Sequence, residues 1–164
     1  QLQSAYAGEK APSIRALDCY PGSSVYVVGT GKCDIWEVDA DPDIKIPGHV
    51  SDLVSLDAHP VHEHLFVTAG AASRLYVWDA RSRSAVGTSK VDGSITCVSW
   101  SPPRGAVLGV GVSSNQVLVL AANDGSDGAI REAGRSRVGG EPSVLRFTGS
   151  GERLAVGTRR GTIE

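Results

Sequence analysis

Four octapeptides in the 164-residue chain follow one pattern: IRALDCYP (Ile14 to Pro21), LVSLDAHP (Leu53 to Pro60), ITCVSWSP (Ile95 to Pro102) and, more weakly, PSVLRFTG (Pro142 to Gly149). Their fourth residues, Leu17, Leu56, Val98 and Leu145, are spaced by 39, 42 and 47 positions. Self-similarity at such a period means that one supersecondary unit is laid down several times and that each copy needs a neighbour to bury its apolar surface. No other feature of the chain restricts the fold so strongly.

Each octapeptide is followed by a short turn and a second apolar run: VYVVGT (25 to 30), LFVTAG (65 to 70), VLGVGV (107 to 112) and RLAVGT (153 to 158). A third run follows the first three copies, as CDIWEV, RLYVWD and QVLVLA, while the fourth reaches only GTIE. These runs are rich in Val, Ile, Leu, Tyr and Trp and are bounded by Pro, Gly, Ser, Asn and Asp, so they read as strands. VYVV and VLVL are apolar without alternation, so both faces of those strands are expected to be buried. Small sheets stacked face to face provide that environment, with a more polar outer strand such as SAVGTSKV on the water side.

Four-stranded units at this spacing resemble the blades of WD-repeat β-propellers. Trp78-Asp79 stands where the family's dipeptide ends its third strand, and Gly48-His49 precedes the first strand of the same blade. The resemblance implies a buried network of His49, Thr68 and Trp78, with Ala72 where the family places a turn aspartate. The segment GHVSDLVSLDAHPVHEHLFVTAG, through Gly48, His49, Asp52, Leu53, His59 and Pro60, is similar to the echinoderm microtubule-associated-protein-like family, and so is SVLRFTGSGERLAVGT (Ser143 to Thr158). The expected architecture is all-β, with four consecutive blades, first and last partial, of a larger propeller. Residues 1–12 read as a linker or preceding strand, 13–47, 48–91 and 92–139 as blades, and 140–164 as a partial blade.

Open blade faces would leave apolar surface exposed, so these residues are expected to belong to a longer chain or a larger assembly. The net charge of -2 conceals an asymmetry: residues 1–73 hold 4 basic and 10 acidic side chains, and residues 130–160 hold 7 basic and 3 acidic. Cys19, Cys33 and Cys97 lie in strand-like runs and read as reduced core thiols. With no apolar run near the roughly 18 residues of a membrane span and no signal-peptide pattern in QLQSAYAGEK, a cytoplasmic chain without a membrane partner is expected.

Local chemistry is sparse. His59, His62, Glu63 and His64 have metal-ligand residue types but fall in a hairpin turn, so no metal is assigned to them. GTGKC (Gly29 to Cys33) lacks the earlier glycine and the hydroxyl residue of a phosphate loop, and NDGSDG (Asn123 to Gly128) lacks the closing glutamate of a calcium loop. No nucleophile elbow is present, and the basic C-terminal third lacks the interleaved aromatics of a stacking nucleic-acid surface. No catalysis, cofactor or nucleic acid is therefore expected.

The family resemblance implies a microtubule-associated scaffold of the cytoskeleton, with tubulin or other axonemal proteins of a cilium or flagellum as partners. The alternative is a generic adaptor that docks peptides in a signalling, trafficking or degradation complex. Turns between second and third strands share one rim of a propeller. Here they carry Lys32, Arg74, Arg159 and Arg160, the candidate protein-binding surface.

Overall fold

The structure is a computed structural model that describes residues 13–19, 26–31, 35–38, 44–46, 51–102, 105–122 and 130–164. Its first sheet comprises β1 (Ile14–Cys19), β2 (Tyr26–Thr30), β3 (Ile35–Val38) and β4 (Ile44–Ile46). The second comprises β5 (Leu53–Ala58), β6 (Leu65–Gly70), β7 (Arg74–Asp79) and β8 (Ser84–Lys90). The third comprises β9 (Ile95–Trp100), β10 (Val107–Val112), β11 (Gln116–Ala122) and β12 (Ile130–Arg137), and β13 (Pro142–Phe147) pairs with β14 (Leu154–Thr158) in a fourth. Each sheet is an antiparallel meander in sequence order, which the short turns between runs permit. The first sheet has four strands where the sequence reads a partial blade. Its fourth, Ile44–Ile46, is three residues between Pro42 and Pro47 and is too short to carry a pattern.

The sheets pack face to face, and β1, β5, β9 and β13 are neighbours along the inner side. Val27 and Ile35 meet Leu53, Phe66 and Trp78 between the first two sheets. Val67, Leu75 and Val77 meet Ile95, Leu108 and Val110 between the second and third, and Cys97 and Val117 meet Leu145 and Val156 beyond them. β6 is buried along all six residues, as a continuously apolar strand between two neighbours must be. Two of the recurring glycines near the ends of the second strands have a packing reason: a Cβ on Gly29 would come within 2.9 Å of Leu53, and one on Gly111 within 2.8 Å of Pro142, so the next sheet's inner strand passes close there.

The first sheet's outer face differs. Ile14 and Leu17 are 58% and 59% exposed, whereas the residues at the same places in the second and third sheets, Leu53, Leu56, Ile95 and Val98, are at most 8% exposed. Cys19 shares that face and is exposed, a correction to its reading as a core thiol, because no described sheet packs there; Cys97 is buried and Cys33 lies outside the described residues. Among the described residues no helix is long and apolar enough to cross a membrane.

Candidate functional site

Thr68 on β6 and Trp78 on β7 are both buried, and the indole N–H of Trp78 donates to Thr68 Oγ1 at 2.7 Å. The indole is stacked with Phe66 and tilted against Tyr76, at centroid distances of 6.4 and 5.6 Å. His49, the third member of the expected network, lies outside the described residues. At the turn, where Ala72 replaces an aspartate, the Ala72 N–H donates to Ser51 Oγ at 3.3 Å, so a hydroxyl from the preceding loop acts at this turn.

The rim residues are not electrostatically equivalent. Lys32 lies outside the described residues; Arg74 is exposed at the start of β7. Arg159 Nε pairs with Glu141 at 2.9 Å, and its backbone N–H donates to the Glu141 carbonyl. Arg160 lays its aliphatic stem over Gly140. Glu141 therefore offsets one of the cations gathered on this side.

A set of polar residues that the sequence reading did not single out joins one sheet to the next. Alternate N–H groups of an antiparallel edge strand point away from its partner, and on β5 and β9 those groups face the preceding sheet's inner strand. Asp18 Oδ2 accepts the Ala58 N–H, and Asp57 Oδ2 accepts the Trp100 N–H, both at 2.6 Å. Ser55 Oγ accepts the Val98 N–H at 3.1 Å. Asp18 and Asp57 hold equivalent places, opposite Val27 and Val67 in their own sheets, so the same carboxylate clasp occurs twice. An oxygen that accepts an otherwise unpaired edge N–H spares the cost of leaving that donor buried without a partner.

A second repeated clasp lies at the hairpin ends. His59 is 2% exposed, and its ring meets the Trp100 indole edge-on at 4.7 Å. Its Nδ1 accepts the N–H groups of Val61 and His62, so the proton sits on Nε2, which lies against Gly105 in the next sheet's hairpin. Ser101, at the equivalent place, has its hydroxyl between the carbonyls of Pro102 and of Gly151 in the following hairpin, at 3.1 and 3.4 Å, so its single proton is shared between them. The sequence carries a signal for both clasps: Asp18 and Asp57 are acids inside apolar runs, and His59 and Ser101 are the polar residues just before their prolines.

These surroundings shift protonation. Burial, and then the hydrogen bond with Asp18, raise the pKa of Asp57 from 3.8 to about 8, against the opposing pull of the Trp100 N–H. Burial, reinforced by His62, lowers that of His59 from 6.5 to about 4. His62 and His64 lie beside His59, with 5.9 Å between their own ring centroids, and among the described residues no three metal-ligating groups converge.

Comparison with known proteins agrees with this architecture. A chain in the crystal structure of a mitotic checkpoint complex superposes with a TM-score of 0.82, over 95% of this chain and 49% of that one, at 13% identity. The ribosome biogenesis protein YTM1 of Meyerozyma guilliermondii is 36% identical over 58 residues, 35% of this chain and 13% of that protein. The chain thus spans less than half the length of each of these relatives. No protein-family model matches it. Sequential four-stranded meanders, packed face to face with their first strands innermost, define an all-β protein of the propeller class. More narrowly, the fold is WD-repeat propeller-like, its sheets packed as consecutive blades.

Proposed function

We propose that the chain is a non-catalytic WD-repeat scaffold that holds other proteins on its loops and rims. The observation that carries this reading is the use made of Asp57 and His59. Both groups have strongly displaced pKa values, a frequent mark of catalytic residues, yet each is engaged by the backbone of the adjacent blade. Rigid blades with solvent-facing turns suit docking, and the turns can vary without disturbing the seams.

The finer proposal is a microtubule-associated scaffold of the cytoskeleton, in the axoneme of a cilium or flagellum. Its support is the similarity of residues 48–70 and 143–158 to the echinoderm microtubule-associated-protein-like family, together with the cations Arg74 and Arg160 on turns of different blades. Tubulin is the acidic partner this reading names. The purified protein is expected to pellet with microtubules at low ionic strength and to be released by salt. A variant with Lys32, Arg74, Arg159 and Arg160 changed to serine should pellet several-fold less. Equal pelleting of the two folded proteins would remove the rim from the account. No pelleting of either would remove tubulin and favour the generic adaptor, docking peptides in signalling, trafficking or degradation complexes.

A further inference from the structure

We infer that the inner groove between β9 and β13 is a receptor for the carboxylate of an Asp or Glu side chain presented by a partner protein. The inference does not depend on the rim or on tubulin.

The chain supplies its own template. On the inner strands Asp18, Asp57, Ser99 and Arg146 occupy one repeat position, opposite Val27, Val67, Gly109 and Ala155 respectively. At the first two seams the residue is an aspartate, and its side-chain oxygen takes the N–H of the following inner strand. At the third seam the residue is Ser99. The N–H of Thr148 is bonded to Arg153 within its own hairpin, so the alternation directs the Leu145 and Phe147 N–H groups to the open inner edge. These correspond to Val98 and Trp100, whose N–H groups are accepted by Ser55 and Asp57. Cys97 and Ser99 stand where Ser55 and Asp57 would act, and among the described residues neither bonds β13.

A cavity of about 140 Å³ lies at the Cys97 and Leu145 end of this seam and reaches Ser55 and Asp57 on β5, with Ser143 and Arg146 also in its wall. It gives a small side chain room to enter. The Arg146 guanidinium borders it, is 74% exposed, and has Asp57 Oδ1 as a distant companion at 3.7 Å. Burial and the hydrogen bond with Asp18 raise the pKa of Asp57, which lessens its opposition to an incoming anion. The groove therefore combines a guanidinium with edge N–H donors of the kind that the side-chain oxygens of Asp18 and Asp57 accept at the neighbouring seams. A side-chain carboxylate is the favoured source because the two internal examples are side chains.

The test uses the purified, nitrogen-15-labelled protein and three acetylated peptides: Gly-Glu-Gly amide, Gly-Gln-Gly amide, and Gly-Gly-Gly with a free carboxyl terminus. The glutamate peptide is expected to move the Leu145 and Phe147 amide signals saturably, and the glutamine peptide to leave them in place. Arg146→Gln should weaken the effect about tenfold, the size of one lost charge-assisted bond. Ser99→Asp, which installs an internal carboxylate at the template position, should abolish it and slow exchange of the Phe147 amide. Unmoved Leu145 and Phe147 signals, equal binding of the glutamine peptide, or undiminished binding to a folded Ser99→Asp protein would each overturn the inference. Binding of the free-acid peptide in preference to the glutamate peptide would overturn the choice of a side chain.

Discussion

Gly151→Ala is expected to lower stability by about 3 kcal/mol or more, among the largest losses a single methyl can cause, while Gly149→Ala two residues earlier changes it by less than about 0.5 kcal/mol. Gly151 sits at φ +74°, where a side chain is strained, and its missing Cβ would run into the carbonyl oxygen of Pro102 in the preceding blade. That oxygen has no easy retreat. It accepts from Ser101 Oγ at 3.1 Å, and Ser101 is fixed by its own N–H bond to Val107. The Gly151 N–H is held in turn by Thr148. A Cβ on Gly149 would meet nothing within 4 Å. Urea midpoints of the two variants decide the matter: equal midpoints would show that this hairpin does not rest on its neighbour.

The second large effect is a pH profile with two opposing halves. Asp57 has its pKa raised in the folded state, from 3.8 to about 8, so its contribution is complete below pH 3.8 and is lost as pH rises toward 8. His59 has its pKa lowered, from 6.5 to about 4, so its contribution is complete above pH 6.5 and is lost as pH falls through 4. Between about pH 4 and 6.5 the two slopes nearly cancel, and from 6.5 to 8 stability should decline. Asp57→Asn keeps a carbonyl oxygen for the Trp100 N–H but cannot ionise. Its stability should rise from pH 4 to 6.5 and then level off. His59→Gln should show the reverse, a decline across the whole interval, on top of a loss of about 1 to 3 kcal/mol from the N–H groups of Val61 and His62 left without their acceptor. Urea midpoints at several pH values measure both slopes, and parallel profiles for the wild type and Asp57→Asn would contradict a buried, protonated Asp57.

The blades were legible in the sequence because each is local. A run such as VYVVGT, a turn and a second run specify a hairpin within about 40 residues, and Trp78 finds Thr68 ten positions away. The seams were not legible. What Asp57 does is set by the edge N–H of Trp100, 43 residues later, and no periodicity within one strand reports that neighbour. His59 shows the same limit: beside His62 and His64 it reads as a ligand cluster, whereas in the fold it is a neutral ring between Trp100 and Gly105. Cys19 was misplaced for a related reason. Its position is buried in the second and third blades, as Ala58 and Trp100 show, but burial there comes from the preceding sheet and not from the strand itself.

Stacked blades held by side chains that take the N–H groups of the next inner strand make up the central claim, and residue-resolved amide hydrogen exchange tests it most directly. Ala58, Val98 and Trp100 lie on strands at the edges of their sheets, where N–H groups facing away from the partner strand exchange rapidly unless something else accepts them. The account predicts that these three amides exchange as slowly as the buried ladder of β6, because Asp18, Ser55 and Asp57 hold them, and that the Phe147 amide exchanges fast. Rapid exchange at Ala58 and Trp100, indistinguishable from Phe147, would contradict the seams and with them the stacking of the blades.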